Sequence, residues 1–170
     1  MMASEISAQK DRLWRGGRIT NRLSRFRHFR GHGVHSPYIY SIVRNVFMSG
    51  RDRLQNENIA LFEQLTKIGT SKQTAKEIAN LATHCNFHTP SINSLESREL
   101  IICSKDYPKE KIENLAIHAD NNGIAIVILS PYSHLSLCNS LLKSNCSTSI
   151  DRFRYLIFLN NHLPKQHFKL

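Results

Sequence analysis

The chain has no C-x-x-C pair and no apolar run long enough to cross a bilayer. Its four cysteines, Cys85, Cys103, Cys138 and Cys146, lack the spacing of a small disulfide-stapled scaffold. Cys103 and Cys138 fall among apolar residues, so reduced core thiols are expected, which suits a cytoplasmic location. No apolar segment follows the early positive charges, so no secretory signal is expected. Internal repeats and low-complexity tracts are also missing, which excludes solenoids and biased linkers.

Acidic residues are scarce at one end only. Residues 1–53 carry 11 Lys/Arg against Glu5, Asp11 and Asp52, a net of +8; residues 54–170 carry 12 against 10, a net of +2. A nearly neutral domain therefore follows a basic arm, residues 1–30, and the asymmetry points to an anionic partner: RNA, DNA or an acidic membrane surface. A solvated basic leader is the plainer alternative, and an Arg-rich, acid-poor arm also fits an organellar transit peptide. Within the arm, Arg22, Arg25, Arg27 and Arg30 are the candidate anion contacts. Phe26 and Phe29 interleave with them in the way that serves phosphate contact and base stacking together. Over 18–30, Ile19, Leu23 and Phe26 form a thin apolar stripe beside a basic one, which suits docking on the chain's own domain or on an anionic surface.

The remaining 140 residues, 31–170, are long enough for one domain, and the 41% apolar content can fill its core. Ser36-Pro37 has the form of a helix start, with Ser as N-cap and Pro at the first helical position. Ile39, Ile42, Val43, Val46 and Phe47 then keep helical spacing up to Ser49-Gly50. A second helix is expected over 55–68, burying Ile59, Phe62 and Leu65, with Gly69 as its stop. A third starts at the cap Ser71 and turns Ala75, Ile78, Ala79 and Ala82 inward as far as His84. Residues 86–98 read as a loop. From there the period changes: strand 99–104, helix 109–120, strand 124–129, a helix opening at Ser130-Pro131 or Ser133, then short runs at 149–153 and 155–159 that read as an antiparallel pair. A βαβ unit closed by a hairpin makes the fold class α/β.

Three constellations hold chemistry-bearing residues. His28, His32 and His35 are close in sequence but lack a fourth zinc ligand, and His84, Cys85 and His88 form a weaker cluster at a helix end. Turn and helix-end histidines explain both groups more simply. Cys138 and His134 sit four apart on one helix, as a thiol and base would, but Leu141 and Leu142 mark that face as core.

The stretch H-G-V-H-S-P-Y-I-Y at 32–40, preceded by basic residues and followed by an amphipathic helix, resembles the opening of a group of bacterial class I S-adenosylmethionine-dependent methyltransferase-like proteins. Its signature residues here are His32, Gly33, His35, Ser36 and Pro37. The C-terminal runs S-I-D-R-F at 149–153, L-I-F at 156–158 and K-Q-H-F-K at 165–169 resemble the same group's ending. The resemblance implies a Rossmann-like sheet of order 3-2-1-4-5-7-6 with the methyl donor gripped by E-x-G-x-x-x-G after strand 1. It also makes the transit-peptide reading less attractive.

That grip is not found. Residues 69–73, G-T-S-K-Q, echo it faintly but read better as a helix stop followed by a new cap. Between Leu81 and Glu99 lie 17 residues, too few for even one βαβ unit of about 30. The expected fold is a truncated Rossmann-like sheet of about four strands, order 4-5-7-6, with N-terminal helices. In it strand 100–104 becomes an edge that a partner chain, a second copy or the helices of 55–84 would cover. Metal-dependent relatives place carboxylates after strands 4 and 5; here only Asp106 follows strand 4, and Ser130-Pro131-Tyr132 follows strand 5, so no Mg²⁺ site is expected. The functional expectation is a degenerate, non-catalytic homologue with a binding or structural role and no cofactor. One alternative is an active enzyme that binds S-adenosylmethionine in a site completed by a partner chain. The other is an RNA- or membrane-surface-binding protein acting through its arm.

Overall fold

The computed structural model describes residues 36–48, 59–145, 147–160 and 164–170. The basic arm with its candidate contacts Arg22, Arg25, Arg27 and Arg30, the helix expected at 18–30, and His28, His32, Gly33 and His35 lie outside the described residues. So do the Ser49-Gly50 helix stop and residues 55–58.

The first described helix, α1 (Pro37–Ile42), starts as its residues dictate: the Ser36 hydroxyl accepts the Ile39 N–H, and Pro37 takes the first turn. It runs on as a π-helical segment, Val43–Met48, a wider winding that the apolar spacing does not announce. All five residues of the expected stripe, Ile39, Ile42, Val43, Val46 and Phe47, are buried. Helix α2 (Ile59–Lys67) buries Leu61 and Leu65 and half-buries Phe62. Ile59, expected inside, is 40% exposed, because the inward face is set by the Leu61–Leu65 step of four and Ile59 falls beside it. Gly69, at φ 83, stops this helix in a backbone conformation that costs other residues. Helix α3 (Lys72–His84) then begins with the Ser71 hydroxyl accepting the Thr74 N–H. Its expected inward face is buried, and Glu77 and Asn80 are buried with it.

The strands are β1 (Ser91–Ile92), β2 (Leu100–Cys103), β3 (Ala125–Leu129), β4 (Ser149–Asp151), β5 (Tyr155–Phe158) and β6 (His167–Lys169). Helix α4 (Lys109–Asn122), closed by Gly123 at φ 66, crosses from β2 to β3. A 3₁₀ turn, Pro131–His134, leads into α5 (Leu135–Ser144) between β3 and β4. The result is α/β: five α-helices and one mixed sheet in the order β1-β2-β3-β5-β4-β6, among the described residues. β1 pairs with β2, β2 with β3, and β4 with β6 in parallel; β5 is antiparallel to β3 and β4, so it alone runs against the rest.

The four expected strands stand in the expected order, β2-β3-β5-β4, but the expected count of four is corrected to six. β1 forms within residues read as a loop, because two residues are too few to show a period of two. It also covers the outer side of β2, so β2 is not an edge. β6, from the K-Q-H-F-K run, extends the other side.

Side chains of the sheet alternate strictly. Leu100, Ile102, Ala125, Val127, Tyr155 and Ile157 face the α1–α3 layer. Ile101, Cys103, Ile126, Ile128, Leu156 and Phe158 face α4 and α5. Both faces are covered, which is why these strands read as unbroken apolar runs. At about 1.5–3 kcal/mol for each fully buried large aliphatic or aromatic side chain, these two clusters are the main force holding the layers together.

Candidate ligand-binding cleft

Because β5 alone is reversed, its amino end shares one border of the sheet with the carboxyl ends of the other five strands. A cleft of about 460 Å³ opens there. Its walls come from four turns and the helix or strand ends beside them: residues 68–71 and Thr74 where α2 passes into α3, Lys105 and Asp106 after β2, Leu129, Ser130 and Tyr132 at the end of β3, and Phe153 and Arg154 between β4 and β5.

Each turn is pinned locally. After β2, Asn93 donates to the Ser104 hydroxyl (2.8 Å) and its carbonyl oxygen accepts the Ser104 N–H (2.8 Å), while the Tyr107 hydroxyl donates to the Asn93 backbone carbonyl (3.1 Å). After β3, Ser130 turns at φ 50, ψ 56, and its N–H bonds the Arg154 carbonyl (2.9 Å). Between β4 and β5, the Asp151 carboxylate accepts the Phe153 N–H (2.8 Å) and the Arg154 N–H reaches back to the Arg152 carbonyl (2.8 Å). With Phe153 at φ 69 this is a γ-turn of the rare, strained hand.

Five described residues other than glycine have positive φ: Asn86, Asn93, Ser130, Phe153 and Asn160. Asparagine tolerates that region; a bulky side chain does not. The two that are not asparagine, Ser130 and Phe153, both line the cleft. Phe153 is also 49% exposed, with its ring tilted at 55° against Tyr132, centroids 5.1 Å apart.

The polar lining is mixed in sign. Arg154 Nη1 donates to the Ser71 hydroxyl and to Gln73 Oε1, both at 3.4 Å. Gln73 Nε2 in turn donates to Glu77 Oε1 (3.3 Å). Glu77 is the hub of a buried cluster below: Arg152 Nη2 lies 3.1 Å from Oε1, and the Tyr155 hydroxyl donates to Oε2 at 2.7 Å. Arg152 stacks over the Phe47 ring, 4.5 Å from its centroid, and its buried Nε has no partner among the described residues. Burial, followed by the Glu77 charge, holds the Tyr155 phenol well above its ordinary range, so it stays a donor.

The sequence-derived candidates fare unevenly. Ser36 and Pro37 start α1 and do not line the cleft. His84 Nε2 pairs with the Ser41 hydroxyl (3.0 Å), Cys85 Sγ accepts from the Tyr38 hydroxyl (3.4 Å), and no group of three metal-ligating side chains forms among the described residues. His134 Nε2 lies against the Lys105 carbonyl (3.3 Å). Burial first, and then the Asp151 charge, push the Cys138 thiol up to about 12, so it is no nucleophile at neutral pH. Cys103 and Cys138 are buried free thiols, as expected. Residues 69–73 are a helix stop and a new cap, but that same turn forms one wall of the cleft. Nothing in the local sequence singles out Lys105, Phe153 or Arg154 as site residues; their only signal is position, Lys105 two residues past β2, and Phe153 and Arg154 in the turn between β4 and β5.

No family model matches the chain, and no curated protein or solved structure is detectably similar to it.

Proposed function

We propose that the chain is a shortened, non-catalytic relative of class I methyltransferases that acts by binding a small ligand in this cleft. What carries the reading is the cleft's position: open α/β sheets take their ligands at the carboxyl ends of parallel strands, and here β2 and β3 end in its walls. Its volume falls in the range typical of small-molecule sites. The wall nearest the place of a methyl-donor grip is a single-glycine helix-to-helix turn, and the one carboxylate among the described lining residues, Asp106, follows β2. That set suits a small ligand better than an adenosyl group, which needs several glycines for close approach and an acid for its ribose. The two buried free thiols support a reducing, cytoplasmic setting. No helix among the described residues is long and apolar enough to cross a membrane.

Isothermal titration of the full chain with S-adenosylmethionine tests the reading. No binding is expected at micromolar concentration. Micromolar affinity would favour the rival, an active enzyme with its site completed by a partner chain.

A second reading rests on the net +8 charge of residues 1–53: the arm docks on RNA or an acidic membrane. Affinity for a single-stranded RNA should then fall steeply with salt and vanish on deletion of residues 1–30; RNA binding unchanged by the deletion, or none at all beside binding to anionic vesicles, decides against RNA.

A further inference from the structure

We infer that the cleft's ligand is a small aromatic monoanion, with its ring against Tyr132 and Phe153 and its charge on Arg154 and Lys105. The inference rests on the binding reading above and names the ligand class. The aromatic half follows from Phe153. A half-exposed phenylalanine in a strained γ-turn is unfavourable twice over, in backbone conformation and in exposed apolar area, and it packs on a second cleft aromatic and not into the core. Leu129 and Ile68, itself 41% exposed, continue the apolar lining.

The charge follows from the cations. Arg154 uses one nitrogen on two bonds at the long limit of 3.4 Å, and no bond engages Nη2 or Nε among the described residues. Lys105 Nζ likewise has no partner there. Arg154 reaches Ser71, the cap at the amino end of α3, a 13-residue helix whose dipole adds positive potential, and Lys105 lines the same cleft. Asp106 lies in the same lining and sets the limit: two cations and one anion leave a single net positive charge, matched by one carboxylate and opposed to a polyphosphate.

The test is a ¹⁵N NMR titration of the full chain with four probes: phenylacetate, phenylacetamide, acetate and ADP. Phenylacetate should shift the Gly69, Ser130, Phe153 and Arg154 amides with a Kd on the order of 1 mM, as befits so small a ligand. Phenylacetamide, acetate and ADP should each bind at least roughly fivefold more weakly, and Arg154→Gln should bring phenylacetate down to the level of phenylacetamide. Equal affinity for acid and amide, shifts confined to other residues, or no shifts at about 20 mM phenylacetate would overturn the inference. S-adenosylmethionine, added last, separates the two readings. If it shifts the same amides at micromolar concentration, the non-catalytic reading fails; if it does not and phenylacetate also fails, only the ligand class is lost.

Discussion

The two borders of the sheet handle polar side chains in opposite ways. At the border away from the cleft, Asn145, Ser147 and Asn160 are buried and bonded to one another. Asn160 donates from Nδ2 to the Ile124 carbonyl (2.7 Å) and accepts at Oδ1 from Asn145 (2.9 Å) and Ser147 (2.8 Å). Asn145 also reaches Asp120 (3.1 Å), tying the end of α4 to the end of α5. At the cleft border, Lys105 and Asp106 make no side-chain bond among the described residues, Arg154 makes only long ones, and the strain falls on Ser130 and Phe153. One border uses its polar groups to lock loops together. The other also pins its turns, through Asn93, Ser104 and Asp151, but leaves Lys105, Asp106 and most of the Arg154 guanidinium facing an opening, as a binding site requires and stability does not.

Several substitutions can break or sharpen that contrast. The largest effect is expected just beneath the cleft. Glu77→Ala strands the buried Arg152, whose side chain is 9% exposed, and should cost about 3–5 kcal/mol in urea unfolding. Next is the locked border. Asn160→Ala leaves the buried Ile124 carbonyl without its donor and takes one of two bonds from Asn145, while the Ser147 hydroxyl keeps Asn145 Oδ1 at 2.6 Å; it should cost about 2 kcal/mol by the same measurement.

A pH effect follows from the buried thiols. Burial pushes Cys103 and Cys138 up to about 12, so the folded state favours their protonated form. That contribution is whole below the ordinary thiol range near 9 and is lost as pH rises from there towards 12. The urea midpoint should therefore fall between pH 8 and 11, more steeply than in a Cys103→Ala, Cys138→Ala double variant. The smallest effect is at the strained lip: Ser130→Gly should be neutral or stabilising by about 0.5–1 kcal/mol, since glycine accepts φ 50 without strain.

The sequence disclosed whatever had a period or a punctuation mark. Ser36-Pro37, Ser71 and Gly69 bound their helices as read, and the long apolar runs became β2 and β3. β1 and β6 escaped, or were taken only as part of a motif, because two or three residues carry no periodicity. The π-helical winding after Ile42 escaped because its apolar residues fit α-helical spacing equally well. Glu77 sits on a helix whose neighbours are Lys76 and Gln73, and nothing local shows that Arg152 and Tyr155, more than seventy residues on, will draw it inside. The cleft was legible only in part. Residues 69–73, Asp106 and Ser130 stood out by pattern, while Phe153 and Arg154 matter because the hairpin turn returns to the border where β2 and β3 end.

The most direct test of the open border is the stability of a chain carrying both Lys105→Gln and Arg154→Gln. If these cations are held for a ligand, unfolding in urea without ligand should differ from the parent chain by no more than about 0.5 kcal/mol. A loss of about 2 kcal/mol or more would make them structural, and the two borders would then differ in nothing that bears on binding.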